Sequence, residues 1–455
     1  MNRKMMRLMM MGLLASAAMV ACGDEEEEET PTPDGGMTDG GMTDGSGTDG
    51  GMTDGSGGGE ELSLEGTYFA DASRGTVMAD PLLGDPTNLT APNFVPAANS
   101  PAAGAGVAPT GAFFTATDYI GAFEPGGEDW TAGWTAYAPN DQSTPAADAT
   151  FVDVGENITA DTTWTADNVY RLTATIYVVD ATLTIEPGTL IVGNNGSALV
   201  ITSTAMIMAQ GTAAEPIVFT SSQAPANRVG GDWGGVVMLG SAPINVTSNN
   251  IEGLEAAGIS SYGGSDSAHN CGTMSYVRIE YAGFTFGTDN ELNSLTLGGC
   301  GSATSLDHIQ TSFGLDDGIE FFGGNANLKY AVVSQTGDDS LDWDQGFSGN
   351  IQFFVAQQSE GLGDRTIEAD NLSDNPSATP ISNPTVYNAT LIGGGAANTE
   401  QLGMKLRVGT RGQLFNFIVM NFGGGAVDFD GDETQAAVAS GDMVLSNFLF
   451  FNAAL

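Results

Sequence analysis

The stretch that decides the fold is IEFFGGNANLKYAVVSQTGDDSLDWD, residues Ile319 to Asp344. It begins and ends on tetrads of one kind, Ile-Glu-Phe-Phe at Ile319–Phe322 and Leu-Asp-Trp-Asp at Leu341–Asp344. Three more follow: IEAD at Ile367–Asp370, MKLR at Met404–Arg407 and VDFD at Val427–Asp430, so that successive starts are 22, 26, 37 and 23 residues apart. In an extended strand alternate side chains point to opposite faces, so the first and third residue of each tetrad point inward and the second and fourth to solvent. A period near 22 built from short strands is the signature of stacked coils. Intervals of 22 and 23 fit one coil of a parallel β-helix and 26 fits a coil with a small insertion, while 37 requires a looped-out segment around DNLSDNPSATPISNPT (Asp370–Thr385). In register, about 4.8 Å apart, the tetrads form one sheet of the solenoid.

Upstream, from about residue 167, the chain is a succession of short aliphatic runs broken by Gly, Asn and Asp: VYRLTATIYVV, ATLTIEPGTLIVG, SALVITSTAMIMAQG, PIVFTS and GGVVMLG. None has helical period and length. The expected fold is therefore all-β, a parallel β-helix over 151–455. Residues 62–150 are expected to cap its N-terminal end, with Trp130 and Trp134 in DYIGAFEPGGEDWTAGWTAYAPN, because an exposed coil end is an unpaired sheet edge. At the other end NFLFFNAAL stops in an apolar strand with no evident cap, so the last strand packs under a loop or the chain is incomplete.

The first 61 residues read differently. Arg3, Lys4 and Arg7 precede an apolar run, Leu8 to Val20, too short to cross a bilayer, so residues 1–21 are an export signal. Residues 22–61, rich in Gly, Asp and Glu without apolar periodicity, form a disordered tether. The chain has 56 acids against 12 bases and a formal net charge of -44; with 13 acids in 23–61 and three bases in the signal, the rest still carries 43 acids against 9 bases. Such a surface repels nucleic acid and attracts cations. Cys271 and Cys300 sit in no CxxC and near no His cluster, and in an exported chain they are expected to form one disulfide.

Two resemblances add to this. The end of the signal, MVAC, resembles the lipobox of bacterial lipoproteins, which implies acylation of Cys22 and a membrane anchor, with Met19 where Leu is usual. The motifs LTIEPGTLIVG, PIVFTSS, GDWGGVVMLGSAPIN, VRIEYAG, DDGIEFFGG, GDDSLDWDQGFSGNIQF and NPTVYNATLIGG resemble the right-handed parallel β-helix surface lipoproteins of Gram-negative bacteria. That resemblance spans roughly 150–450 and implies a fold and an outer-membrane or cell-surface location, with no assigned activity.

The outward column of tetrads reads Glu320, Asp342, Glu368, Lys405, Asp428, and beside it Phe322, Asp344, Asp370, Arg407, Asp430. Like charges on adjacent strands are destabilising, so Lys405 and Arg407 are expected to pair with the acids above and below, leaving Asp342 to Asp370 in excess. This column is the expected binding face, for a polysaccharide or another envelope component, and Phe322 the outward aromatic for stacking. One way to neutralise the excess is Ca²⁺, which takes oxygen ligands: Asp338, Asp339, Asp342 and Asp344 are the candidates, with Asp428 to Glu433 a second oxygen-rich cluster. Asp and Asn also populate turns for conformational reasons alone, and Asp338 and Asp339 repeat Asp316 and Asp317 one coil earlier.

The other way is catalysis. LDDGIEFFGGNANLKYAVVSQTGDDSL resembles the coil pair of polygalacturonase-type β-helix hydrolases. The resemblance implies Asp339, Asp342 or Asp344 as acid or base and Lys405 or Arg407 as a holder of a sugar acid. The Gly-His-Gly element of those enzymes is missing, since the comparable position reads Gly361-Leu-Gly-Asp-Arg365, and the chain's two histidines, His269 and His308, lie elsewhere. The expectation is therefore a binding or structural module first and a hydrolase or lyase second.

Overall fold

A computed structural model describes residues 62–455 apart from 139–143, 248–249, 252, 255–257 and 288–289. The segments expected to be a signal peptide and a tether, with Cys22, lie outside the described residues. From Thr150 onward the chain winds as a right-handed parallel β-helix, its coils stacked in parallel as the period predicts. The tetrads stack in one nine-stranded sheet: Ile319–Phe322 pairs in parallel with Leu341–Asp344, which pairs with Arg365–Ala369, then Leu402–Leu406 and Gly425–Phe429. The register aligns Glu320, Asp342, Glu368, Lys405 and Asp428 in one column. Their neighbours Phe321, Trp343 and Ala369 are fully buried and Phe429 nearly so, which confirms the alternation.

The rest of each coil belongs to a fifteen-stranded sheet folded along a corner. At that corner one residue per coil adopts a left-handed conformation in mid-strand: Tyr276, His308, Tyr330, Phe353, Asn388, Asn416 and Asn447, all with φ between 48° and 65°. Asn tolerates this backbone because its amide bonds locally; the bulkier residues carry a conformational cost of about 1–2 kcal/mol each. Stacking offsets it. Tyr276, His308, Tyr330 and Phe353 form a continuous pile with ring centroids 4.2, 4.5 and 4.7 Å apart. His308 is thus a corner residue between two tyrosines, bonded to Asp307. The turns between coils approach closely: a Cβ on Gly337 would lie 1.9 Å from the Leu315 carbonyl oxygen, which leaves room only for glycine.

The N-terminal segment does not cover the end of the solenoid expected of it. Its short helix Leu64–Phe69 lies on the last coils, where Tyr68 meets the Phe429 ring at 5.4 Å and Phe69 meets Phe448 and Phe450 at 5.4 and 4.9 Å. Val77–Met78 then pairs in parallel with the final strand Met443–Phe451. The apolar strand that ends the sequence is therefore covered, by the opposite end of the described chain. From there the segment runs back along the corner as a strap, held by corner and neighbouring amides: Asn447 donates to Ala105 O (2.9 Å), Asn416 to Val107 O (2.9 Å), Gln352 to Thr115 O (2.8 Å) and Gln310 to Ala136 O (2.8 Å). Trp130 and Trp134 stand edge-on to His308. A second departure is the helix Asp432–Ser440, formed where a further run of oxygen ligands was expected. Cys271 and Cys300 are joined by a disulfide, as expected.

Candidate functional site

Two columns of the nine-stranded sheet's outer face carry the charge. The expected pairing of the basic rung holds: Lys405 Nζ lies 3.4 Å from Asp428 and 2.8 Å from Asp430, and Arg407 donates to Asp370 (2.8 Å) and Glu368 (2.9 Å). The expected excess from Asp342 to Asp370 does not. Glu368 and Asp370 are buried at 8% and 5% exposure rather than turned to water, and Arg407 compensates both. Arg365 adds a second cation, 3.2 Å from Glu368, and also pairs with Asp364. The uncompensated acidity is displaced toward Asp342 and the turn before it.

Sequence reasoning passed over Arg365, although the period points to it. The position two residues before the strand Leu295–Gly298 and before the first three tetrads is occupied by Asn293, Asp317, Asp339 and Arg365 in successive coils. These residues form a ladder of their own. Asp317 Oδ1 accepts the Asp339 backbone N–H (2.9 Å), Asp339 Oδ1 accepts the Arg365 N–H (2.8 Å), and Asn293 donates to Glu320. Asp317 and Asp339 are 7% and 2% exposed, so their first task is to close the backbone hydrogen bonding of the turn below. Asp338 and Asp339, one pair in sequence, have different surroundings: only Asp339 is buried.

The four aspartates expected to hold one metal do not gather as a quartet. The carboxylates come together as Asp316 with Asp317 and Asp338, Asp317 with Glu320 and Asp342, and Asp339 with Asp342 and Glu368, each set with ligand oxygens within 4.8 Å of one another. Asp344 belongs to none of them, nor do Asp428 to Glu433, where Asp432 and Glu433 start the helix instead. Asp342 is common to two sets. Its Oδ1 is buried and accepts no hydrogen bond from the described residues. Burial first, then Glu320 and Glu368, push the Asp342 carboxyl well above its usual range. Burial first, then Asp316 and Asp339, do the same to Asp317, and burial with Asp338 does so to Asp339, against the pull of Arg365. Burial also raises Glu368 and Asp370, partly offset by the arginines. The face therefore pairs a proton-sharing cluster centred on Asp342 with a cationic rung two coils on.

Phe322 is not an open stacking platform. It packs against Tyr262, ring centroids 6.3 Å apart, under the loop that follows Val236–Leu239, in a cluster with Leu239 and Ile244. That loop and the looped-out segment after Asp370 meet where Asn245 donates to the Asn371 side chain (2.9 Å) and to Pro380 O (3.0 Å). Together they wall the face on the side where the strands end.

Residues 156–455 match the family model described as a pectate-lyase like beta helix domain, and the chain belongs to that family. No curated protein and no solved structure matches it.

Proposed function

We propose that this chain is a lipid-anchored protein of the bacterial cell envelope, at the outer membrane or cell surface, whose acidic face holds Ca²⁺ and binds an acidic polysaccharide. The observation that carries the reading is the Asp342 carboxyl, shared by two sets of converging carboxylates and left with a buried oxygen that no donor among the described residues reaches. The donor set is all oxygen, which suits Ca²⁺ and discourages softer metals. Lys405 and Arg407 lie two rungs on, beyond Glu368 and Asp370, where a cation and a guanidinium together would grip a uronate carboxylate. The family's lyase-like description supports polysaccharide as the ligand class. The anchor rests on Cys22 and its lipobox-like setting.

The test is calorimetric titration with Ca²⁺, then with polygalacturonate in the presence and absence of Ca²⁺. Saturable Ca²⁺ binding that Asp342→Asn abolishes, and polygalacturonate binding that chelation removes, are the expected results. Heat traces identical for the parent and Asp342→Asn would refute the site.

A second reading is favoured by one observation. Asp342, whose carboxyl is pushed well above its usual range by burial and then by Glu320 and Glu368, has a ligand oxygen within 4.8 Å of one on Glu320 of the adjacent rung. A general acid beside a carboxylate at about 5 Å is the arrangement of a retaining glycosidase. Release of reducing ends or unsaturated products from an acidic polysaccharide, lost in Asp342→Asn, would select this reading over a binder.

A further inference from the structure

On the fifteen-stranded sheet, away from the acidic face, the strap overhangs the solenoid and leaves a cleft of about 290 Å³. Its aromatic wall is Tyr387, Phe415 and, from the strap, Phe114. Tyr387 and Phe415 stack at 4.8 Å in adjacent coils and Phe114 meets Tyr387 edge-on at 4.8 Å. Phe415 ends that pile, because the next coil places Ser446 in the column. The polar floor is Asn350, Thr385 and Gln413, aligned one above another in three successive coils. Asn350 Oδ1, Thr385 Oγ1 and Gln413 Oε1 receive no hydrogen bond from any described residue. The overhang is pinned rather than loose, since Lys329 Nζ donates to Phe113 O (3.0 Å) and Thr115 Oγ1 (2.8 Å).

In a chain of net charge -44, no residue lining this cleft is charged. That composition narrows the occupant. A hydrocarbon would leave three polar groups of the floor without partners, at about 1–3 kcal/mol each. A nucleotide or other anion would meet the field of the whole acidic surface with no local cation in the lining to offset it. A pyranose ring satisfies both walls: its axial C–H face packs on aromatic rings while its equatorial hydroxyls donate to amide and hydroxyl oxygens. We infer that this cleft is a subsite for one uncharged sugar ring of a glycan, independent of the acidic face and of whether that face binds Ca²⁺.

The experiment is titration of the whole protein with four neutral hexasaccharides (cellohexaose, maltohexaose, xylohexaose and laminarihexaose) and with hexagalacturonate, by saturation-transfer NMR and calorimetry. At least one neutral hexasaccharide is expected to bind with a millimolar or tighter Kd. Phe114→Ala and Gln413→Ala are each expected to weaken that binding about tenfold or more. Asp342→Asn and chelation of Ca²⁺ leave it unchanged. Gln413 is half-buried and, among the described residues, has a single side-chain bond, to Asp442 O at 3.3 Å, so Gln413→Ala still tests the subsite if Phe114→Ala fails to fold. The inference is overturned if none of the four binds at about 10 mM, if binding survives both cleft variants, if it follows Asp342, or if hexagalacturonate occupies the cleft equally well.

Discussion

Replacing Arg407 by Met keeps the aliphatic stem and removes the charge, and the structure sets what that costs. Two charge-assisted hydrogen bonds disappear, to Asp370 at 2.8 Å and to Glu368 at 2.9 Å. Glu368 keeps Arg365 at 3.2 Å, whereas Asp370, 5% exposed, loses the cation that bonds to it. A hydrogen bond to a charged group contributes about 1.5–3 kcal/mol, and the Arg407 side chain is 34% exposed, so water recovers part of the loss; the expected destabilisation is about 2 kcal/mol. Its pH dependence has a definite sign. Burial already raises the Asp370 carboxyl and Arg407 pulls it down, so without Arg407 it rises further. At acid pH Asp370 is protonated in both proteins and needs no partner; as pH rises the parent ionises it against Arg407, while the variant must bury a bare carboxylate or retain the proton. The deficit of Arg407→Met therefore grows with pH. Urea titrations followed by tryptophan fluorescence, with Trp343 buried beneath this face, measure it. Asp370→Asn in the Arg407→Met background is expected to restore about 1–2 kcal/mol. A deficit below about 0.5 kcal/mol that is flat between about pH 4 and pH 8 and indifferent to Asp370→Asn would refute the compensation argument.

Three other outcomes follow from the same structure. Ca²⁺ must displace the proton from Asp342, so its affinity is expected to tighten as pH rises through the raised Asp342 range, and Ca²⁺ at about 100 times its Kd to stabilise the parent by about 2.7 kcal/mol but not Asp342→Asn; thermal melts across pH with and without Ca²⁺ check this. Phe69→Ala, at 4% exposure and packed on Phe448 and Phe450, is expected to cost about 3–5 kcal/mol and to speed amide exchange in Met443–Phe451 first; uniform exchange along the solenoid would contradict the cap at that end. Cys271 and Cys300 are 29 residues apart, so reduction is expected to cost about 2–4 kcal/mol, read as a drop in melting temperature under reductant that a Cys271→Ser/Cys300→Ser variant does not show.

The separation between what was and was not legible follows particular residues. The solenoid, its inward Leu341 and Trp343 and the rung from Glu320 to Asp428 could be read in advance, because a coil repeats with the sequence and alternation decides direction. Arg365 was also within reach, at the repeat position of Asp317 and Asp339, but a change of residue type from acid to base hid it. The corner pile was not legible. Tyr276, His308, Tyr330 and Phe353 occupy left-handed backbone that none of them prefers, and stacking across coils holds them there.

By itself the sequence determined whatever a residue inherits from its own coil: strand direction, inward or outward aim and rung order, together with the pairing of Cys271 with Cys300. Only the tertiary structure decided which solenoid end the N-terminal segment covers, that Phe322 lies under Tyr262, that Glu368 and Asp370 are compensated while Asp342 is not, and that strap and sheet enclose an uncharged cleft. The physical reason is distance along the chain. Those contacts join residues as far apart as Tyr68 and Leu445, and burial and protonation arise only once such distant groups exclude water together.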